Sequence, residues 1–310
     1  MAQLLQGLCM QESGLKILFA INPISGGKKK QDHETTIREF FKGRPEQIEC
    51  FLLDGNFDQE SMDHWISSWK PDKVVAVGGD GTVSMVAKAL LNSGIPLGIL
   101  PAGSANGMAT ELQLPTDLDA ALKVIEGNHV QPCDVLEINN SHYCLHLSDI
   151  GLNAKLIRYF EEGSIRGMLG YAKVASKVLW KKRMMKITLK TKGKQLECEA
   201  LMAVFANARK YGTGAVINPD GILDDGLFEV ILIKKLALSE IVKAFINHGR
   251  FNPKKFEIVQ AESISINTDH AADFQVDGEY LGKIRHLNAK VIPSALQILV
   301  SAPDNKDSVA

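Results

Sequence analysis

No Cys-x-x-Cys pair occurs in these 310 residues, and the five cysteines present, Cys9, Cys50, Cys133, Cys144 and Cys198, are odd in number and widely spaced. That pattern excludes a disulfide framework and a zinc knuckle and fits reduced thiols in a cytoplasmic protein. Long apolar runs are missing too, so no transmembrane segment is expected. The opening MAQLLQGLCMQESG has no basic start and too short an apolar stretch for a signal peptide, and Leu8 before Cys9 suits a lipoprotein cleavage site poorly. The expectation is a soluble protein, at most peripheral at the inner membrane face. Charge of one sign is scarce: 35 Lys+Arg against 36 Asp+Glu leave a net −1. No molecule-wide field steers toward nucleic acid, despite local clusters at Lys28-Lys29-Lys30 and Lys181-Lys182-Arg183. No internal repeat or low-complexity segment stands out.

What is present is an ordinary globular composition, 45% hydrophobic and 23% charged, in a chain long enough for two cores. Lys16-Ile-Leu-Phe-Ala-Ile21 reads as a buried strand ended by Asn22-Pro23, and a helical pattern follows through Ile37, Phe40 and Phe41. The unit repeats, with strands over 48–53, 73–77 and 97–100 and a helix over 59–69. From Val83 the apolar residues Val83, Val86, Ala87, Leu90 and Leu91 form one helix face, closed by Asn92-Ser93-Gly94. Such alternation predicts a mainly parallel sheet covered on both sides. Beyond Gly127-Asn128 the runs shorten and turn signals multiply, at Asn139-Asn140, Lys192-Gly193-Lys194, Asp220-Gly221, Asp225-Gly226 and Asp277-Gly278, interrupted by one helical segment over 168–184. The reading is an α/β protein: an N-terminal three-layer α/β/α nucleotide-binding domain over 1–129, a C-terminal, mainly antiparallel β domain over 130–303, and a frayed tail over 304–310.

Three small-residue loops follow strands of the first domain. Gly78-Gly79-Asp80-Gly81-Thr82 lies where a parallel strand turns into a helix, the place where open α/β sheets hold ligands. Its glycines let backbone N–H groups approach an anion, and the helix adds its positive end; the bland alternative is a tight turn with Asp80 as a cap. Asn22-Pro23-Ile24-Ser25-Gly26-Gly27-Lys28 and Pro101-Ala102-Gly103-Ser104-Ala105-Asn106-Gly107 occupy equivalent strand ends. The first is not a P-loop, since Asn22 stands where glycine is needed, and Ser84 breaks a dinucleotide fingerprint. One polyphosphate spanning all three is simpler than three unrelated turns.

NPISGG, GGDGT and PAGSAN, then YGTGAVINPDGILDDGLFEV and VDGE, resemble in order and spacing the diacylglycerol kinase and sphingosine kinase family of lipid kinases, over residues 15 to 302. The resemblance implies an enzyme that uses ATP and Mg2+ to phosphorylate a lipid hydroxyl at a membrane surface; the near-zero net charge argues against a nucleic acid partner, and a homodimer is a compatible assembly. It implies that Asn22, Pro23, Ile24, Ser25 and Gly26, then Gly78, Gly79, Asp80, Gly81 and Thr82, then Gly103, Ser104 and Asn106 contact the nucleotide. Asp80 would join the magnesium and water network. Asp225 with the carbonyls of Ile222 and Leu227 would form a magnesium loop, and Glu279 would be the catalytic base. The active site would lie between the domains. Two departures pull apart on the acceptor: Gly107 follows the third loop's asparagine as in sphingosine and ceramide kinases, whereas Lys155 stands where sphingosine kinases carry an acid.

Other readings stay open. GGDGT alone is shared with NAD kinases, and a nucleotide or lipid sensor without turnover would carry the same loops. His142, Cys144 and His146 alternate along an expected strand as a tempting metal set, but neighbours on one face lie roughly 7 Å apart. The segment YAKVASKVLWKKRMMK over 171–186 mixes apolar and basic residues either as a membrane-surface helix or as a helix packed on its own sheet.

Overall fold

A computed structural model describes residues 14–25, 32–56, 58–104, 106–152, 154, 183–211, 215–235 and 252–303. The first half runs β1 (Lys16–Ile21), α1 (His33–Phe40), β2 (Gln47–Leu52), α2 (Asp58–Trp69), β3 (Lys73–Gly78), α3 (Asp80–Leu90), β4 (Leu97–Pro101), α4 (Gly107–Glu111) and α5 (Leu118–Glu126). Strands β2, β1, β3 and β4 lie side by side in that order, all parallel. Alternate residues of a strand face opposite ways, and here both faces are apolar. Leu18, Ala20, Val74 and Ala76 pack with Met62 of α2 and with Val83, Val86, Ala87 and Leu90 of α3. Ile17, Phe19, Val75 and Val77 pack on the opposite side with Ile37 of α1 and with Ala121, Leu122 and Ile125 of α5. These are the three expected layers.

α3 begins at Asp80, three residues before the expected start near Val83. The apolar stripe marks where packing starts; the first turn, Asp80-Gly81-Thr82, carries no such stripe and was invisible to periodicity.

The second half adds β5 (Val130–Ile138), β6 (His142–Cys144), β7 (Leu147–Gly151), β8 (Met185–Thr191), β9 (Lys194–Ala200), β10 (Met202–Ala206), β11 (Lys210–Tyr211), β12 (Ala215–Val216), β13 (Phe228–Ile233), β14 (Phe256–Ala261), β15 (Ser263–Val276) and β16 (Glu279–Leu299). The order β14-β13-β10-β7-β15-β16 is antiparallel throughout, and β5 flanks β16. At its far end β16 pairs with β4 in parallel, Ile298 opposite Leu97, so one sheet runs through both halves. Its last residues enter the first half's core: Leu296 and Ile298 on the α3 side, Leu299 on the α5 side.

Two hairpin signals appear as two-residue loops: Lys192-Gly193 between β8 and β9, and Asp277-Gly278 between β15 and β16. Asp277 has φ 46° and Gly278 φ 91°, the pair of positive values that a type I′ turn requires. Of the helical segment expected over 168–184, only Arg183 and Met184 fall among the described residues, as do neither Gly26, Lys155 nor the 304–310 tail. Among the described residues no helix is long and apolar enough to cross a membrane.

Candidate active site

The three loops meet at the carboxyl ends of β1, β3 and β4. Asn22 ties the first to the second: its backbone N–H donates to the Val77 carbonyl at 2.9 Å, and its Nδ2 reaches Thr82 Oγ1 at 3.3 Å. Its Oδ1 accepts from Ile24 N at 3.1 Å, turning the chain so that Ile24 stands 81% exposed. The third loop is pressed onto the second. A Cβ at Gly103 would fall 2.4 Å from Gly79 Cα, so only glycine allows this approach. Asn106, itself left-handed at φ 51°, clamps Gly103 through a pair of 2.9 Å bonds to its N–H and carbonyl. Ser104 lies exposed at the rim.

Gly79 caps α3 without any side-chain bond, which leaves the first-turn N–H groups facing the loops. Asp80 does not cap its own helix. Its Oδ2 accepts from Gly107 N at 2.9 Å and its Oδ1 from Met108 N at 3.2 Å, so it caps α4 and fixes the third loop to the second.

The second half delivers Glu279. Its carboxylate is exposed, with Oε1 3.8 Å from where a Cβ on Gly81 would lie. The turn before it is pinned by Asp277, a residue whose role the sequence did not announce. Asp277 Oδ1 accepts from His146 N and Leu147 N at 3.0 Å each, and Oδ2 accepts from Leu145 N at 2.9 Å. Ser84 of α3 adds its hydroxyl at 3.3 Å, joining the two halves. Between them lies a cleft of about 200 Å³, lined by Gly81, Ser84, Met85, Lys88, Tyr143 and Glu279 among others.

The alternation of His142, Cys144 and His146 does not build a metal centre. β6 ends at Cys144, whose thiol lies 3.3 Å from Asp277 Oδ1, and the chain then turns His146 toward Gly107. Among the described residues no three His, Cys, Asp or Glu converge on a cation. The four described cysteines are free thiols; burial pushes Cys50 up to about 11 and Cys133 up to about 12, and Cys144 and Cys198 upward as well, so none is an activated nucleophile.

Two family models match this chain in succession: the diacylglycerol kinase catalytic domain over residues 16–138, and the YegS C-terminal NAD kinase beta sandwich-like domain over 148–300. The chain belongs to the diacylglycerol kinase family of lipid kinases. A relative named "Probable lipid kinase YegS-like" from Yersinia enterocolitica is 28% identical over 235 residues, 73% of this chain and 78% of the relative. Its namesake from Yersinia pestis is 27% identical over 233 residues, 72% and 77% of the two chains. In fold, the crystal structure of a diacylglycerol kinase from Bacillus anthracis is similar at a TM-score of 0.73 and 21% identity, over 92% of this chain and 97% of that one. An NAD kinase from Archaeoglobus fulgidus in complex with ATP is similar at 0.54 and 15%, over 92% and 93%.

The stretch expected to be this family's magnesium loop lies between β12 and β13. Asp225 Oδ1 accepts from Leu227 N at 3.0 Å, and Ile222 is exposed. Asp134, fully buried on β5, accepts from Gly226 N and Ser294 N at 2.7 Å each. Burial raises the Asp134 carboxyl, and the nearby Asp225 and Asp224 raise it further. Both Asp134 oxygens and Asp225 Oδ1 are thus spent on backbone N–H groups, and among the described residues no three acidic, His or Cys side chains converge on a cation here.

Proposed function

We propose that this protein is an ATP- and magnesium-dependent kinase that transfers the γ-phosphoryl group of ATP to a lipid hydroxyl, with diacylglycerol or a sphingoid lipid as acceptor. The observation that carries this reading is the approach of Glu279, from the second half, to Gly81 at the amino end of α3. A phosphate-binding end and a free carboxylate face one cleft from opposite sides. Phosphoryl transfer asks for charge neutralisation, in-line positioning and a base near the attacking hydroxyl.

The glycine loops and the first turn of α3 bind and orient the phosphates. Glu279 takes the proton of the acceptor hydroxyl as its oxygen bonds to the γ-phosphorus. The bond from that phosphorus to the β–γ bridging oxygen breaks, and ADP leaves. Met85, Tyr143 and Leu281 give the cleft an apolar wall along which a lipid would lie. Magnesium, held by Asp225 with the carbonyls of Ile222 and Leu227, would supply positive charge that stabilises this loop and its surroundings. The acceptor is drawn from a membrane surface, so the protein works as a cytoplasmic, peripheral enzyme.

The test is transfer from labelled ATP to diacylglycerol, sphingosine, ceramide and monoacylglycerol in mixed micelles, with NAD as a further arm. A labelled lipid is the expected product. Label in NADP alone, or ATP binding with no labelled product, would refute the reading.

A further inference from the structure

His146 stands where the two halves of the site meet, and its failure as a metal ligand leaves its placement unexplained. Its backbone N–H is held by Asp277 Oδ1 at 3.0 Å, the carboxylate that pins the turn ahead of Glu279. Its imidazole lies against the third loop. A Cβ on Gly107 would come within 2.9 Å of the ring's Cε1, 3.0 Å of its Nδ1 and 3.5 Å of Asp80 Oδ2. Gly107 has no left-handed backbone to account for it; the imidazole occupies the space that any other side chain would need. The ring and Asp80 therefore border one point, directly beyond Asn106 and next to the Gly79–Gly103 contact.

The two ring nitrogens differ. Nε2 is buried and has no hydrogen-bond partner, whereas Nδ1, on the ring edge beside Gly107, is not among the buried unpartnered atoms. A proton on Nδ1 leaves only a lone pair buried at Nε2 and puts the N–H on the ring edge that is not buried. The carboxylate of Asp80 repels an anion there unless a donor stands beside it, and Nδ1–H is such a donor.

We propose that His146 is a further nucleotide-contacting residue, whose Nδ1–H donates to a γ-phosphoryl oxygen of ATP over Gly107. The proposal rests on the kinase reading given above, and it accounts for both the glycine at 107 and the orientation of the ring. On this placement the α- and β-phosphates would lie along the glycine loops, and only the γ-phosphoryl group of ATP would reach the ring.

Titration calorimetry with magnesium-ATP and magnesium-ADP tests it on the full chain, using wild type, His146→Leu, His146→Gln and Gly107→Ala. His146→Leu is expected to weaken ATP about tenfold or more, the size of one hydrogen bond to a charged group, and to leave ADP unchanged. His146→Gln, which keeps a donor, should recover part of the loss. Gly107→Ala, which pushes the ring aside, should reproduce the ATP-selective loss and add little to it in the double variant. If His146→Leu binds both nucleotides as wild type does, or loses both equally with a native melting curve, the ring only packs and the proposal is wrong. A change confined to the KM of the lipid would also overturn it. Wild-type turnover separates the two levels: with no ATP-dependent transfer by wild type the kinase reading fails, and with transfer present only the His146 assignment is at stake.

Discussion

Asp80 and Glu279 both lie beside Gly81, and their surroundings give them different tasks. Asp80 spends both oxygens on backbone N–H groups of α4, whereas Glu279 is exposed at the cleft mouth beside Gly81. Glu279→Gln should therefore keep ATP affinity and lower the transfer rate by roughly two to four orders of magnitude, the range for a lost general base. Asp80→Asn keeps an acceptor for one N–H and turns an amide toward the other, so the third loop loosens. Weaker ATP binding together with slower transfer is expected. Initial rates against ATP and magnesium, with nucleotide affinity measured separately, distinguish them; a normal rate for Glu279→Gln would move the base elsewhere. The sequence offered Glu279 and Asp80 because short motifs surround them. Asp277 stood inside the same VDGE motif, yet its function as an anchor depends on the backbone of residues 145–147, more than a hundred positions away, and no local pattern records such a partner.

Among elements, α5 illustrates how a polar residue can be built into a core. Lys73, on the otherwise apolar strand β3, is only 4% exposed, and its Nζ reaches the carbonyls of Ile125, Glu126 and Gly127 at 3.0, 3.3 and 2.7 Å. It closes the carboxyl end of α5, where cations complement the unpaired carbonyls. Burial lowers the Lys73 pKa, the expected cost of placing an ammonium there. Lys73→Met should unfold at lower denaturant with an unchanged slope, a loss of about 1–3 kcal/mol from leaving those carbonyls without a donor. An unchanged midpoint would show that the carbonyls find another partner. The strands of this half, the face of α3 and the Asp-Gly and Lys-Gly hairpins were legible because each is written in neighbouring residues. The start of α3 and the five-residue α4 were not, since their amino ends are set by Gly79 and by Asp80 reaching across from another loop. β16 was not legible either. Its 21 residues bend at Ser294, φ 49°, and pair in turn with β15, β5 and β4, choices that only the assembled sheet can make.

At the scale of the whole molecule, the halves are tied at several places around the cleft. Glu111 of α4, nearly buried, accepts from Arg209 Nε at 2.8 Å and Lys210 N at 3.1 Å, and the Ser84–Asp277 contact adds a second tie. The third is the end of β16 on β4. Ending the chain before Ala295 would strip Ala295, Leu296, Ile298 and Leu299 from two apolar clusters of the first half and expose the edge of β4. That truncation should abolish cooperative unfolding and ATP binding together, although all three small-residue loops are still present. A native melting curve for the truncated chain would contradict this.

The same strand sets an order of events at the ribosome. Synthesis runs from the amino end, and domains generally fold as they emerge. Here the half that is made first lacks its neighbouring strand until residues 296–299, near the end of the described chain, leave the exit tunnel. The edge of β4 stays unpaired through most of translation, so the first half completes its sheet only when the second half, with Glu279 on it, has already been made. A nascent chain stalled before residue 296 would hold the GGDGT loop on a sheet whose β4 edge is still bare.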